Sequence, residues 1–371
     1  MPVASYISVY LLFLLQFIYF PIGVSYFETP KVYLAQIGIF ILLLIAIFRP
    51  QQFRFISYPK PYLFTFIAII VLSFVHILFM LTETTFFGNE FRLQGVFLLW
   101  MLLAWAILSS RIQFERLLHP LFLFGCLFAQ LLFALLIDGE GANRAIGTVG
   151  EPNALAATVL FIWPFLYFSK KDVPLWMKYA ALAMVFFTIF VSGSRSGMIA
   201  FMLQLIFLLL ARTNLSLIKS VIISFVLLLI TYGLPFLPQS NLYEQRSEIW
   251  QAAIIAGGVS PIVGNGFGNT EGVLQDVVNN LNTNLRGSYI DSSHNIFLDW
   301  WVQGGTIGFI IFSFLIGRTF FSFIKRKHIQ NLTLFLGLIA ALSFNPASII
   351  SLIALWWLIG QGIAMSVSKQ K

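Results

Sequence analysis

Residues 235–308 read PFLPQSNLYEQRSEIWQAAIIAGGVSPIVGNGFGNTEGVLQDVVNNLNTNLRGSYIDSSHNIFLDWWVQGGTIG. The part from Pro235 to Asn295 is too polar and too broken by Gly and Pro for a bilayer span to absorb, yet hydrophobic runs lie on both sides of it. Loops longer than about 12–15 residues are usually functional or disordered. This one carries too much Trp, Ile, Val and Tyr to be disordered. It holds two arginines (Arg246, Arg286), a glycine alternation (Gly264, Gly266, Gly268) and a histidine, His294, where the chain passes back into an apolar helix.

The flanks set the class. The chain is 59% hydrophobic and only 10% charged, far from the quarter-charged make-up of a soluble domain. Its long Leu, Ile and Phe runs match spans of roughly 20 residues, the length that crosses about 30 Å of hydrocarbon. Twelve spans are expected, at about 5–24, 32–48, 61–82, 93–109, 117–137, 153–169, 176–192, 197–211, 218–236, 296–316, 329–345 and 347–366. The last two are divided only by Asn345-Pro346, which also suits a break in one re-entrant helix. The N-terminus lacks the basic region and small-residue cleavage site of a signal peptide, so a retained span is expected there. The lone Cys126 sits in an apolar run and has no intrachain partner.

Charge orients the spans. With the N-terminus placed in the cytoplasm, sixteen of the 22 Lys and Arg fall inside; only Lys31, Arg92, Arg144, Arg195, Arg246 and Arg286 fall outside. Of the 14 acids, only Glu115 and Asp172 fall inside. The bias follows the positive-inside rule. It accounts for the net charge of +8 without invoking nucleic acid. The fold expected is therefore an all-α integral membrane protein of about 12 transmembrane helices, N-in and C-in. It forms a single polytopic domain over 1–371, with 235–295 as one large extracytoplasmic loop between spans nine and ten.

Several chemistries find no support. A P-loop is missing, the glycine alternation neither follows a strand nor opens a dinucleotide-binding unit, and the four His and one Cys are scattered. No Asp-x-Asp pair is present to hold a divalent ion. No metal and no cofactor are expected. What remains is a set of outward arginines. Arg195 lies in SGSRSG, a turn so short that its guanidinium must sit at the outer surface; Arg144 lies in DGEGANRAIGTVGEPN. An Arg near hydrocarbon costs about 2.5–3.5 kcal/mol at a span centre and less near an end. Such a cost asks for a polar partner, and phosphate oxygens suit the planar guanidinium fork. The plainer reading is that each Arg snorkels or pairs with a nearby acid, such as Glu244, Glu248 or Glu140.

His294 is the only histidine on the outer side, with Asp291, Ser292, Ser293 and Asn295 near enough in sequence to orient its ring. An ordinary pKa near 6.5 suits a general base; SSHN also reads as a polar cap at the start of a helix. His76, in the middle of span three, is a rival, because an ionisable group within a span is a functional candidate by default.

Three segments resemble the O-antigen ligase and O-antigen polymerase superfamily of bacterial envelope glycan enzymes. SGSRSG at 192–197 resembles the family's Ser-Arg-Ser-Gly turn. Arg246-x-x-x-Trp250, followed by Pro261 and the Gly264/Gly266/Gly268 alternation, resembles the start of its external loop. His294, with ten residues between it and Gly305, resembles the His-x10-Gly signature of the ligases. These segments cover about residues 192–308; the first six spans match only in hydropathy and position.

The resemblance implies a metal-independent, inverting transfer of a glycan from an undecaprenyl-diphosphate carrier to an acceptor hydroxyl, on the extracytoplasmic face of the bacterial inner membrane. The acceptor is another glycan, lipid A–core sugar or a protein. Catalysis is then expected from His294, Arg246 and Arg195, and substrate binding from Arg144, Arg286, Asn295 and Asp291. The partners implied are that donor, the acceptor and the bilayer, with no nucleic acid. A transporter or flippase of lipid-linked glycans is the competing class. It would place its polar site near the midplane, whereas the charges here gather at the outer side.

Overall fold

The computed structural model describes residues 2–139, 144–169, 171–213, 215–233, 246–280, 285 and 287–367. Fifteen α-helices lie among them, with no strand beyond an isolated bridge between Asp138 and Ala145. They are α1 (Val3–Val9), α2 (Glu28–Phe48), α3 (Lys60–Met80), α4 (Glu83–Phe87), α5 (Val96–Ser109), α6 (Pro120–Leu136), α7 (Pro152–Tyr167) and α8 (Leu175–Ser192). The chain continues with α9 (Arg195–Arg212), α10 (Leu217–Gly233), α11 (Arg246–Val259), α12 (Thr270–Asn280), α13 (Ile296–Lys325), α14 (Ile329–Leu342) and α15 (Ile349–Val367). Their starts follow from local chemistry. Thr82, Ser194 and Asn295 accept the first free N–H groups of α4, α9 and α13. Pro120 and Pro152 open α6 and α7 where no N–H is needed.

Among the described residues six helices (α2, α3, α8, α9, α13 and α15) are long and apolar enough to cross a membrane, and six shorter apolar ones include α5, α7 and α14. Each expected span overlaps one of these twelve. Helices on the outside of the bundle turn large apolar side chains outward; Leu78 and Phe79 of α3 are 74% and 79% exposed. Such a surface suits hydrocarbon, not water. By contrast α7, α14 and α15 are buried on nearly every side. Several polar groups in that interior pair with one another, as a bilayer favours. Trp163 Nε1 donates to Gln204 Oε1 (2.8 Å), and Gln204 Nε2 donates to the Thr333 carbonyl (3.0 Å).

The α14–α15 pair forms a hairpin. Asn331 at the start of α14 meets Met365 at the end of α15, with 3.9 Å between Nδ2 and Sδ. The two helices therefore run back along each other, and the hairpin tip is the buried stretch 343–348. Its backbone is satisfied from elsewhere: Glu28 Oε1 accepts from Ile349 N (2.5 Å), and Gln94 Nε2 donates to Ala347 O (2.6 Å). This explains why α2 begins at Glu28, before the expected span at 32. Glu28 and Lys31 are buried and partnered, Lys31 Nζ donating to the carbonyls of Phe27 and Thr148.

The described part of the large loop docks on α13 and α3. Gly305 (φ 59°, ψ −158°) breaks α13 internally, and its backbone groups are taken up by the glycine turn. Asn265 N and Gly266 N donate to Val302 O and Gln303 O, while Thr306 N and Ile307 N donate to Pro261 O and Ile262 O. Gly264 and Gly305 both have positive φ, and a Cβ on either would overlap the other strand of this exchange. His76 secures the same turn from α3. Phe267 N donates to its Nδ1 (3.2 Å), so Nε2 carries the proton and donates to Val263 O (2.7 Å). Both ring nitrogens of His76 are occupied by loop backbone, which assigns it a structural role.

Candidate functional site

The helix ends at 25–31, 81–95, 144–153, 192–196, 246 and 290–296 converge around the 343–348 tip. The centre of this end is a turn, Asp291-Ser292-Ser293-His294-Asn295, that leads into α13. Asn295 Oδ1 accepts from Phe297 N (2.9 Å) and Leu298 N (3.3 Å) and caps the helix. Asp299 Oδ1, one turn on, accepts from Ser293 N (2.8 Å) and Ser293 Oγ (2.7 Å). His294 is left with φ 55°, a left-handed conformation uncommon for a residue with a Cβ. Strain of this kind gathers at functional sites and persists where surrounding bonds over-determine it.

Arg246 opens α11 and is buried. Its Nη1 donates to His294 Nδ1 at 2.6 Å. Arginine only donates, so Nδ1 is the acceptor and the neutral ring carries its proton on Nε2. Burial, then the positive charges of Arg246 and Arg92, hold the His294 pKa well below its ordinary value. The ring is neutral at pH 7.

Arg92, which comes from the turn before α5, bonds Asp291 Oδ2 through Nε at 2.6 Å. Burial opposes its charge, but Asp291, Glu151 and Glu28 together keep its pKa above the usual arginine value. In the sequence Arg92 is one of six outer cations and has no motif around it. The available signal was that any cation beside a span end needs a partner, and Asp291 lies 199 positions away.

Two more expected residues lie at a neighbouring turn. Arg144 Nε donates to Ser192 O (3.0 Å), and its Nη2 reaches Asn153 Oδ1 (3.4 Å). Arg195 starts α9 and is exposed, just after Ser194, whose Oγ donates to the same Asn153 Oδ1 (2.8 Å). The tip joins the two groups. Asn345 Nδ2 donates to Ser196 Oγ (2.7 Å), while Phe344 packs against Trp250 of α11 with ring centroids 5.7 Å apart. Arg286 lies outside the described residues.

Beside the turn are two small cavities. One, of about 30 Å³, is polar and lined by Arg92, Asp291, Ser292 and Asp299 among others. The other, of about 70 Å³, runs between Leu98, Leu99, Trp300 and Trp356. Gln94, Asp299 and Gln303 line both, so a polar chamber adjoins an apolar one. Neither is lined by Arg195 or Arg246. Both are small beside a lipid-linked glycan.

Fold and site together define an all-helical, multi-pass membrane protein with an arginine–histidine pair at one end of its bundle. Residues 180–313 match the family described as O-antigen ligase, a region that takes in α9, Arg246, His294 and Gly305. Over that region the chain is similar to the O-antigen ligase family. It is also similar to the ComP-specific O-oligosaccharyltransferase of Acinetobacter baylyi, 27% identical over 220 residues; the match covers 53% of this chain and 39% of the length of that protein.

Proposed function

We propose that this protein is a membrane glycosyltransferase that moves a glycan from an undecaprenyl-diphosphate carrier to an acceptor hydroxyl. The observation that carries the reading is the 2.6 Å contact of Arg246 Nη1 with His294 Nδ1, a permanent cation laid against a neutral base. The reaction calls for these two groups. The hydroxyl oxygen bonds to the anomeric carbon on the face opposite the diphosphate, so the centre inverts. The carbon–oxygen bond to phosphate breaks, its electron pair leaves on the diphosphate, and the hydroxyl proton passes to His294. Guanidinium charge stabilises the departing anion, an electrostatic contribution often worth several kcal/mol, and no metal ion takes part.

In the arrangement observed, Arg246 covers the one ring nitrogen able to accept a proton. A charge-assisted guanidinium–phosphate pair is roughly twice as strong as a neutral hydrogen bond. A donor diphosphate therefore draws Arg246 from Nδ1 and uncovers the base when the donor is in place. Arg92 adds a second charge, positioned by Asp291, while Asn295 positions the histidine turn through its cap. Arg144 and Arg195 extend the cationic rim; Arg286 is proposed as a substrate-binding residue on its sequence alone.

Twelve spans, N-in and C-in, with the site on the extracytoplasmic face of the bacterial inner membrane, complete the proposal, as does a single polytopic domain with 235–295 as its external segment. The basic bias of the opposite loops supports this orientation. Acceptors of this class are another glycan, lipid A–core sugar or a protein; the name of the Acinetobacter relative keeps a protein among them. The occupied ring nitrogens of His76 weigh against transport, since they remove the mid-span group that such a path would use.

The test is transfer in proteoliposomes containing the full chain, a short glycan on undecaprenyl diphosphate, and each acceptor in turn. Acceptor-linked glycan with release of undecaprenyl diphosphate is the expected result. Donor crossing the bilayer intact would favour the transporter instead.

A further inference from the structure

The opposite end of the bundle holds a larger cleft that the reaction does not use. The N-terminus of α15 meets Glu28 at the histidine end, while Gln361 and Met365 of the same helix line this cleft. At about 1.5 Å per residue, Ile349 and Gln361 are about 18 Å apart. The cleft has a volume of about 520 Å³. Arg54, Arg116 and Lys171 line it, all exposed, against a single acid, Glu115. Three separate segments of the chain bring these cations to one opening, where their mutual repulsion is unfavourable without an anion.

The cleft also has an apolar wall. Phe165, Phe168 and Trp357 line it, and Trp357 is buried against Phe165 with ring centroids 5.5 Å apart. Cations and an aromatic wall in one space of this size suit a guest with a phosphate group and an apolar body.

We infer that this cleft is a binding site for a phosphate-bearing molecule, distinct from the glycan donor. A phospholipid headgroup entering from the membrane and a soluble phosphate compound both present that chemistry. Basic pockets between transmembrane helices bind anionic headgroups in this way, and the aromatic wall matches the glycerol and first acyl carbons of a lipid. The inference does not depend on the transferase proposal.

The test is native mass spectrometry of the purified full chain in detergent, with phosphatidylglycerol, phosphatidylcholine or inorganic pyrophosphate as probe. The variants are R54Q/R116Q/K171Q for the cleft and K325Q/K327Q for exposed cations that do not line it. Retention of phosphatidylglycerol should weaken about fivefold per charge removed, on the order of a hundredfold in the triple variant. It should be unchanged in K325Q/K327Q. The same pattern with pyrophosphate alone would support the site and assign it a soluble guest. Retention equal in all variants, equal for phosphatidylcholine, or absent for every probe would overturn the inference. R116Q alone keeps the test decisive if the triple variant does not fold.

Discussion

Arg246 Nη1 lies 2.6 Å from His294 Nδ1, across 48 positions of sequence. The contact joins the first residue of one loop helix to the turn that starts α13, and it fixes the tautomer of the ring. The pH behaviour of transfer follows from it. Burial, Arg246 and Arg92 lower the His294 pKa, and a base works in its unprotonated form. Activity should therefore hold steady as pH falls through 6.5, ordinarily the histidine midpoint, and decline only below it. In Arg246→Gln the declining limb should move to higher pH, because one of the charges that disfavours the imidazolium is gone. A pH–rate profile of kcat/KM checks both. A wild-type limb at or above 6.5 would contradict the proposed role.

Arg92 and Asp291 should behave as one unit. Removing one partner of a buried pair strands the other and costs about 3–5 kcal/mol. Arg92→Ala and Asp291→Ala should each lower the melting temperature of the purified protein clearly, and the double variant should lose less than the sum. Additive losses would mean that the 2.6 Å bridge contributes little.

The glycine exchange between the loop and α13 is equally specific. Gly264→Ala and Gly305→Ala should each destabilise the protein and reduce transfer, since both positions have positive φ and a Cβ on either meets backbone. Gly272→Ala, with nothing within 4 Å of the added carbon, is the control and should be neutral in both assays. Equal melting temperatures for all three would show that the exchange does not hold the loop.

How much of this was legible in the sequence differs from one residue to the next. The long apolar helices were, because runs such as α2 and α3 need only length and hydropathy to be seen. Arg246 and His294 were both visible as chemistry-bearing residues, but not their contact, since the docking of an unpaired loop brings them together. Gly305 could be matched to a spacing yet not explained, because its conformation answers a glycine turn some forty residues earlier. His76 shows the limit most clearly. An ionisable group in an apolar run looks the same in sequence whether it serves a reaction or, as here, holds backbone in place. Asp291 was one of several neighbours placed to orient the ring, and it pairs with Arg92, far off in sequence.

The orientation in the membrane has its own test. In a Cys126→Ala background, cysteines at Gly272 and Lys327, both exposed, should label from outside and inside respectively. Labelling of both from one side would overturn the twelve-span arrangement.

The central claim is that His294 takes the acceptor's proton, and His294→Asn tests it most directly. Asparagine tolerates the left-handed backbone at this position and keeps a polar side chain, but it cannot serve as a base. In proteoliposomes with undecaprenyl-diphosphate glycan, turnover per bound donor should fall by about 10²–10⁴-fold, while donor binding stays within a few-fold of wild type because the arginines remain. Undiminished turnover in His294→Asn, or lost donor affinity with turnover per bound donor intact, would contradict it.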